Sequence, residues 1–383
     1  MATSLALSRR GHSATLFEAF ATPKPLGSGL LIQPSGLSAL RALGLDDEII
    51  ALGAKITRLD GRDPAGRPIL DMYYADWRNG AFGLGVHRAS LFGVLHDAVL
   101  GSEVELRTGC EITGIEAWEK PILKDARGGA HGPFDAAIVA DGAGSTLRAQ
   151  VRPDARAPVY PFGAVWSNAR DPDGAFAGAL SQRYHRASRM AGILPIGRGP
   201  DGEGDLVSFF WSLPTPRLEE FMAGDLNTWR AEVIKLWPQA EPIVAQFGDS
   251  ADFAVATYRD VRVGRWLRGA VSLIGDAAHG TSPQLGQGGN LALIDAVELA
   301  QRLEAPAART LKGWQASRRR QTGPYQFASR FLTPLFQSAG RLGPLFRDLI
   351  FAPMSRLPGG RWMAAIVLTG VMRLGRAPPG LRP

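Results

Sequence analysis

The stretch LIGDAAHGTSPQLGQGGNLALIDA, residues 273–296, decides the fold of this chain. It opens on an apolar strand, turns through Gly275 and Asp276, crosses a glycine-rich loop and runs into a helix. An acid at the end of such a strand is placed to accept hydrogen bonds from ribose hydroxyls, which makes Gly275 and Asp276 a nucleotide contact. Gly286, Gly288 and Gly289, with Asn290 behind them, bring the loop to the helix start with little side-chain bulk. The first amides of a helix have no internal acceptor, so such a start attracts negative charge.

Two other segments point the same way. VADGAGSTLR at 139–148 runs from a buried strand into an Asp-Gly turn. Asp141 could bridge two donors there, Gly142 lets backbone approach a ligand, and Arg148 could meet a phosphate. At the N-terminus, residues 2–10 read as a helix stopped by Gly11, and 13–18 as a strand ending on Glu18. In a dinucleotide unit such an acid follows the glycine turn by about 20 residues and takes the ribose hydroxyls. On that register the first strand and its Gly-x-Gly-x-x-Gly turn are expected ahead of Met1, as for a start codon assigned late or a fragment. The chain as given is then expected to hold a dinucleotide weakly, because the turn supplies amide donors to the pyrophosphate.

Composition narrows the alternatives. With 383 residues, 45% hydrophobic and 21% charged, the chain can bury a sizeable core. The net charge of +7 is spread; its densest basic run, 317–321, lies in a helical pattern without interleaved aromatics, so no nucleic-acid partner is expected. A single cysteine, Cys110, excludes an internal disulfide and a multi-cysteine metal site, and its alternating surroundings read as a strand with a buried thiol. No histidine pair has helical metal-ligand spacing, and no metal site is expected. The apolar run 362–372 is too short to span a bilayer. A cytoplasmic protein is expected. Its tail, rich in Leu, Phe and Ile with arginines spaced through it, suggests peripheral membrane contact.

Together these segments resemble the FAD-dependent aromatic hydroxylases, single-component flavoprotein monooxygenases of the para-hydroxybenzoate hydroxylase and ubiquinone-biosynthesis hydroxylase type. DAAIVADGAGSTLR is similar to that family's Asp-Gly motif, and residues 273–296 to its Gly-Asp motif. GVHRASLFGVL resembles the segment whose arginine, here Arg88, meets the FAD pyrophosphate. One departure is KPLGSG, which offers Lys24 where members often carry an arginine. The resemblance implies FAD as cofactor, NADH or NADPH as reductant, and O2 as the oxygen source for hydroxylating an aromatic or conjugated small molecule, including a prenylated one. It implies that Glu18, Arg88, Asp141, Gly142, Arg148, Gly275, Asp276, Gly286, Gly288, Gly289 and Asn290 contact the cofactor. Pro283, Gly288 and Gly289 would stand at the reacting ring, where a reduced flavin carries negative charge. Two rivals stay open: a degenerate, non-catalytic flavin fold, and a flavin-dependent halogenase.

The expected fold is α/β: a Rossmann-like FAD-binding domain with an inserted antiparallel β-rich substrate domain and a helical C-terminal tail. The boundaries are 1–154 and 263–310 for the two parts of the FAD domain, 155–262 for the insertion and 311–383 for the tail. The aromatics Trp166, Tyr184, Phe209 and Trp211 are candidates for the substrate pocket.

Overall fold

The computed structural model describes residues 1–24, 27–338, 340, 342–351, 353 and 357–375. Two short parallel pairs place the nucleotide-type segments. Thr15–Phe17 pairs with Glu105–Arg107, and Ala137–Val139 pairs with Val271–Leu273, with Leu267–Arg268 antiparallel on the edge. Glu18, Asp141 and the Gly275–Asp276 turn therefore all follow the carboxyl ends of parallel strands, where open α/β sheets bind ligands.

The helix Gly288–Arg302 is the centre of this half. It packs on Ala2–Ser8, on Pro34–Ala42 and on the long helix Ala307–Phe336. Every residue from Leu293 to Ala300 is buried. A helix buried all round must carry small or apolar residues on every face, and ALIDAVELA does so apart from two acids whose partners are described below.

The substrate half is a seven-stranded sheet in the order Ala254–Ala256, Phe162–Arg170, Leu206–Pro214, Arg189–Gly197, Ala179–His185, Arg58–Arg62 and Pro68–Tyr73. The expected antiparallel insertion is there, but its sheet is not confined to 155–262. The hairpin Arg58–Tyr73 adds two strands, the first parallel to Ala179–His185. Turn signals reveal local hairpins; a parallel pairing across more than a hundred residues leaves none. The helices Arg217–Ala223 and Leu226–Leu236 cover one face, with Trp229, Val233 and Trp237 packed on Phe209 and Trp211.

Two helices, Pro34–Ala42 and Asp46–Leu52, stand on either side of Gly44. One local reading changes. Cys110 lies in the connection between Glu105–Arg107 and Ile112–Glu116 and is half-buried. In the tail, Leu345, Phe346 and Leu349 are exposed, whereas Arg347 turns inward. It is 1% exposed, donates to the carbonyls of Arg186 and Leu335, and stacks on Tyr184 and Phe336. An arginine in an amphipathic pattern is assigned to water; here the turn at Arg186 and the end of the helix Ala307–Phe336 supply carbonyl acceptors, and Tyr184 and Phe336 supply ring faces.

The two halves meet through Gly85, on the strand Gly83–His87, against the strand Arg189–Gly197. A Cβ at Gly85 would stand 1.9 Å from the Pro195 carbonyl oxygen, which is backbone and cannot give way. Gly85→Ala is expected to lose at least about 2 kcal/mol of stability by overpacking. Gly93→Ala, in the helix Arg88–Leu100 where nothing lies within 4 Å, is expected to gain up to about 1 kcal/mol. Urea denaturation of the two variants measures both.

Candidate active site

The Gly-Asp turn is a conformational requirement. Gly275 has φ +58° and ψ −139°, a region closed to side chains, and its N–H donates to the Asp295 carboxylate at 3.0 Å. The next residue, Asp276, is exposed while its neighbours from 271 to 280 are all buried. Its carboxylate faces the loop: a Cβ on Gly288 would lie 3.5 Å from Asp276 Oδ1. The turn Pro283–Leu285 follows, closed by Gly286 in the left-handed conformation at φ +59°. The helix then starts at Gly288 with no side-chain cap, and Gly289 is exposed with open space around it. Nearby, Gln33 Nε2 and Gln284 Nε2 are buried donors without an acceptor among the described residues. Gln33 is fixed by accepting the Tyr74 hydroxyl at 2.6 Å. An uncapped helix start, two idle amide donors and an outward carboxylate make a cradle that wants hydrogen-bond acceptors and negative charge.

Arg148 and Asn290 hold the loops together through backbone carbonyls. Arg148 is 5% exposed, and its guanidinium donates to the carbonyls of Ala277, Gly142 and Ala143 at 2.7, 3.0 and 2.9 Å. It staples the Asp-Gly turn to the Gly-Asp turn through backbone. Asn290 is 1% exposed; its amide donates to the carbonyls of Leu31 and Gly286 and accepts from Gln33 N. Its side chain locks the loop to the neighbouring strand, while the backbone amides at the helix start stay free for a ligand. Glu18 ends its strand half-buried, with one oxygen held by Phe20 N at 2.9 Å. Asp141 is exposed beside Gly142, which has φ +80°.

Beneath the turn lies a buried charge network that sequence reading missed. Asp295 receives His279 Nε2 and Arg318 Nε, each at 2.6 Å, and Arg318 also meets Glu298 at 3.4 Å. Arg373 from the tail closes on Glu298 at 3.3 Å. Burial alone would raise the Asp295 carboxyl, but His279 and Arg318 outweigh it and hold it below the ordinary value. The same tail covers the loop from behind: Gln287 Nε2 donates to the Leu368 carbonyl at 2.7 Å, from the helix Pro358–Thr369.

On the sheet, alternation sorts the pocket candidates. Phe209 and Trp211 point into the helix-covered core and are corrected to core residues. Tyr184 is 2% exposed and packs with Phe210, Leu335 and Phe336. Trp166, half-buried on the opposite face from Phe209, donates its indole N–H to the Tyr258 hydroxyl at 3.1 Å. Burial pushes Tyr258 up to about 12, against the pull of Trp166 and of Arg88. Partial desolvation lowers Arg88, and Tyr258 and Asp276 oppose it, so these three groups share one field. Tyr258 came from a segment with no motif; only the sheet brings it beside Arg88.

An α/β nucleotide cradle with glycine turns, ribose-type acids and an anion-receptive helix start defines a flavin-binding oxidoreductase. A family profile described as "FAD binding domain" matches residues 1–322, and the chain belongs to this family. It is 28% identical over 338 residues to the aurachin C monooxygenase/isomerase of Stigmatella aurantiaca, covering 82% of this chain and 81% of that protein. It is 26% identical over 328 residues to the FAD-dependent urate hydroxylase of Klebsiella pneumoniae, covering 83% of each. Among solved structures, Klebsiella pneumoniae HpxO complexed with FAD and uric acid superposes with a TM-score of 0.79 at 21% identity, over 96% of this chain and 94% of that one. The cofactor is FAD, and the cradle fits it: the acids suit hydroxyls, the helix start an anionic ring.

Arg318→Met would leave two buried acids without their guanidinium, and stability is expected to fall by about 3–5 kcal/mol in urea denaturation. Because the Asp295 carboxyl is depressed in the folded protein, its contribution is present above about pH 4 and is lost as the pH falls below it. Asp295→Asn should flatten that acid limb, read as unfolding free energy against pH.

Proposed function

We propose that this chain is an FAD-dependent monooxygenase that uses NADH or NADPH and O2 to hydroxylate an aromatic or conjugated small molecule. The observation that carries the reading is the uncapped start of Gly288–Arg302 beside the outward carboxylate of Asp276. When bound, FAD supplies the redox chemistry that takes electrons from the nicotinamide and activates O2. The chain's own residues do the rest. Glu18 and Asp276 accept hydrogen bonds from hydroxyls of the cofactor, and Arg88 pairs with its pyrophosphate. The amides at Gly288 and Gly289 stabilise negative charge on the ring, Pro283 stiffens that loop, and Gly286 lets it turn through the left-handed conformation. The substrate ring lies on the Trp166 side of the sheet, with the Tyr258 hydroxyl, protonated at neutral pH, as a polar contact. Similarity to enzymes named for urate, aurachin and 3-amino-4-hydroxybenzoate supports an aromatic substrate.

Asp276→Ala leaves cofactor hydroxyls unpaired at a cost of about 1–3 kcal/mol, so FAD affinity in a fluorescence titration should fall about 5- to 100-fold. For the activity itself, a panel of hydroxylated aromatic acids, quinolones and prenylated rings is screened for stimulated NAD(P)H oxidation with oxygen-18 from O2 in the product. A product labelled only from water, or no stimulation by any ring in an FAD-loaded protein, speaks against hydroxylation.

A second, finer reading concerns the tail. Among the described residues, ten of the fifteen large exposed hydrophobics lie between Phe327 and Leu374. Among the described residues no helix is long and apolar enough to cross a membrane. Peripheral contact would use Leu345, Phe346, Leu349, Ile350, Trp362 and Met363. Arg347 and Arg373 turn inward, while Arg361 stays exposed beside Trp362 and Met363, so that contact would be mainly hydrophobic with a charged residue at its edge. Flotation with neutral and anionic vesicles at low and high salt measures it; no flotation of the FAD-loaded protein under either condition removes membrane contact.

A further inference from the structure

Away from the cofactor cradle, three side chains with metal-binding atoms converge. Cys110 lies in the connection after Glu105–Arg107, Asp125 ends the strand Ile122–Asp125, and His131 ends Ala130–His131. Cys110 Sγ is 3.6 Å from His131 Nε2 and 3.9 Å from Asp125 Oδ2, and the last two atoms are 2.8 Å apart. Four-coordinate zinc, with bonds of about 2.3 Å to sulfur and about 2.0–2.1 Å to nitrogen or oxygen, sets ligand atoms roughly 3.3–3.6 Å apart. Two of the three edges therefore need only tenths of an ångström, and the third opens by about half an ångström as a hydrogen bond is replaced.

The ligands are held in place by their surroundings. Asp125 Oδ1 accepts the N–H groups of Arg127 and Gly129, each at 2.8 Å, which leaves Oδ2 as the free oxygen of a fixed carboxylate. The His131 ring packs on Phe17 with centroids 5.0 Å apart. Cys110 N donates to the Glu18 carbonyl at 2.9 Å, so the cluster is tied to the strand end that carries a ribose acid. All three residues are half-buried, which leaves a path for an ion. Arg107 Nη1 lies 3.1 Å from His131 Nδ1 and opposes a cation. Its side chain is 42% exposed and paired with Glu105, so it can swing into water.

We propose that Cys110, Asp125 and His131 form a site for a zinc-type transition-metal ion, completed by water, that ties the Ile122–His131 hairpin to the Glu18 end of the cofactor domain. Binding breaks the Cys110 S–H bond, releases that proton to solvent and forms a metal–thiolate bond. The His131 proton moves from Nε2 to Nδ1 as Arg107 withdraws, so Nε2 becomes a ligand. Thiolate and carboxylate neutralise the dication, and the sulfur–nitrogen–oxygen set favours zinc over magnesium or calcium.

The test uses the FAD-loaded full chain. Zinc chloride is titrated against a chromogenic chelator, and cobalt(II) chloride is followed by difference absorbance. One equivalent of ion, a thiolate-to-cobalt charge-transfer band and a zinc-dependent rise in melting temperature are expected. Cys110→Ser and His131→Gln should each weaken zinc binding at least tenfold while FAD content stays unchanged. In case a variant fails to fold, alkylation of Cys110 in the wild-type protein gives an independent readout: zinc should slow it at least tenfold. No charge-transfer band at saturating cobalt, unchanged zinc affinity in folded variants, or alkylation indifferent to zinc overturns the site.

Discussion

The buried carboxylate of Asp295 is the constraint on which the cofactor half depends. Fully removed from water, it must be matched by charge and by hydrogen bonds or the helix that carries it cannot sit where it does. His279 and the Gly275 N–H from the Gly-Asp turn, and Arg318 from the long helix, supply that match. The consequence is geometric. The Gly-Asp turn, the helix Gly288–Arg302 and the long helix Ala307–Phe336 are held to one another through a single side chain, so the outward Asp276 and the uncapped helix start keep a fixed separation. Preorganised donors and acceptors of this kind are what a flavin site needs, because they cost no rearrangement when charge develops.

Around that hub the protein repeats one device: a buried polar side chain that satisfies the backbone of two segments at once. Arg148 does it for the two glycine turns and Asn290 for the loop and the strand Gly29–Ile32, while Gln287 ties the loop to the tail helix by donating to the Leu368 carbonyl. Their side chains set the loops, and the glycine-rich main chain beside them is left without side-chain bulk.

The tail belongs to the same construction. The helix Pro358–Thr369 is joined to the rest by Gln287, by Tyr325 through the Ile366 carbonyl, and by Arg373 through Glu298. On either side of that helix Arg347 and Arg373 turn inward to acceptors in the body of the protein, while Leu345, Phe346, Leu349, Trp362 and Met363 face out. An amphipathic pattern in sequence says that two faces differ. Which face meets water depends on what the protein beneath it offers, and here it offers carbonyls, a carboxylate and aromatic rings.

The local grammar of the chain was legible from residues alone. Gly275 at a strand end, Gly286 before a helix and Asp276 between them have conformational and hydrogen-bonding needs that hold in any context, so a nucleotide-type turn in an α/β fold follows from them, and the resemblance of the whole motif to the FAD-dependent hydroxylases named the cofactor. So do the antiparallel strands between 162 and 214, whose alternation is a property of neighbouring residues. What only the tertiary structure decided are the long-range meetings: Asp295 with Arg318, Trp166 with Tyr258, Cys110 with Asp125 and His131, and the Arg58–Tyr73 hairpin joining a sheet built mainly from later strands. Those depend on closing long loops and on which buried charges find partners, and neither propensity nor periodicity carries that information.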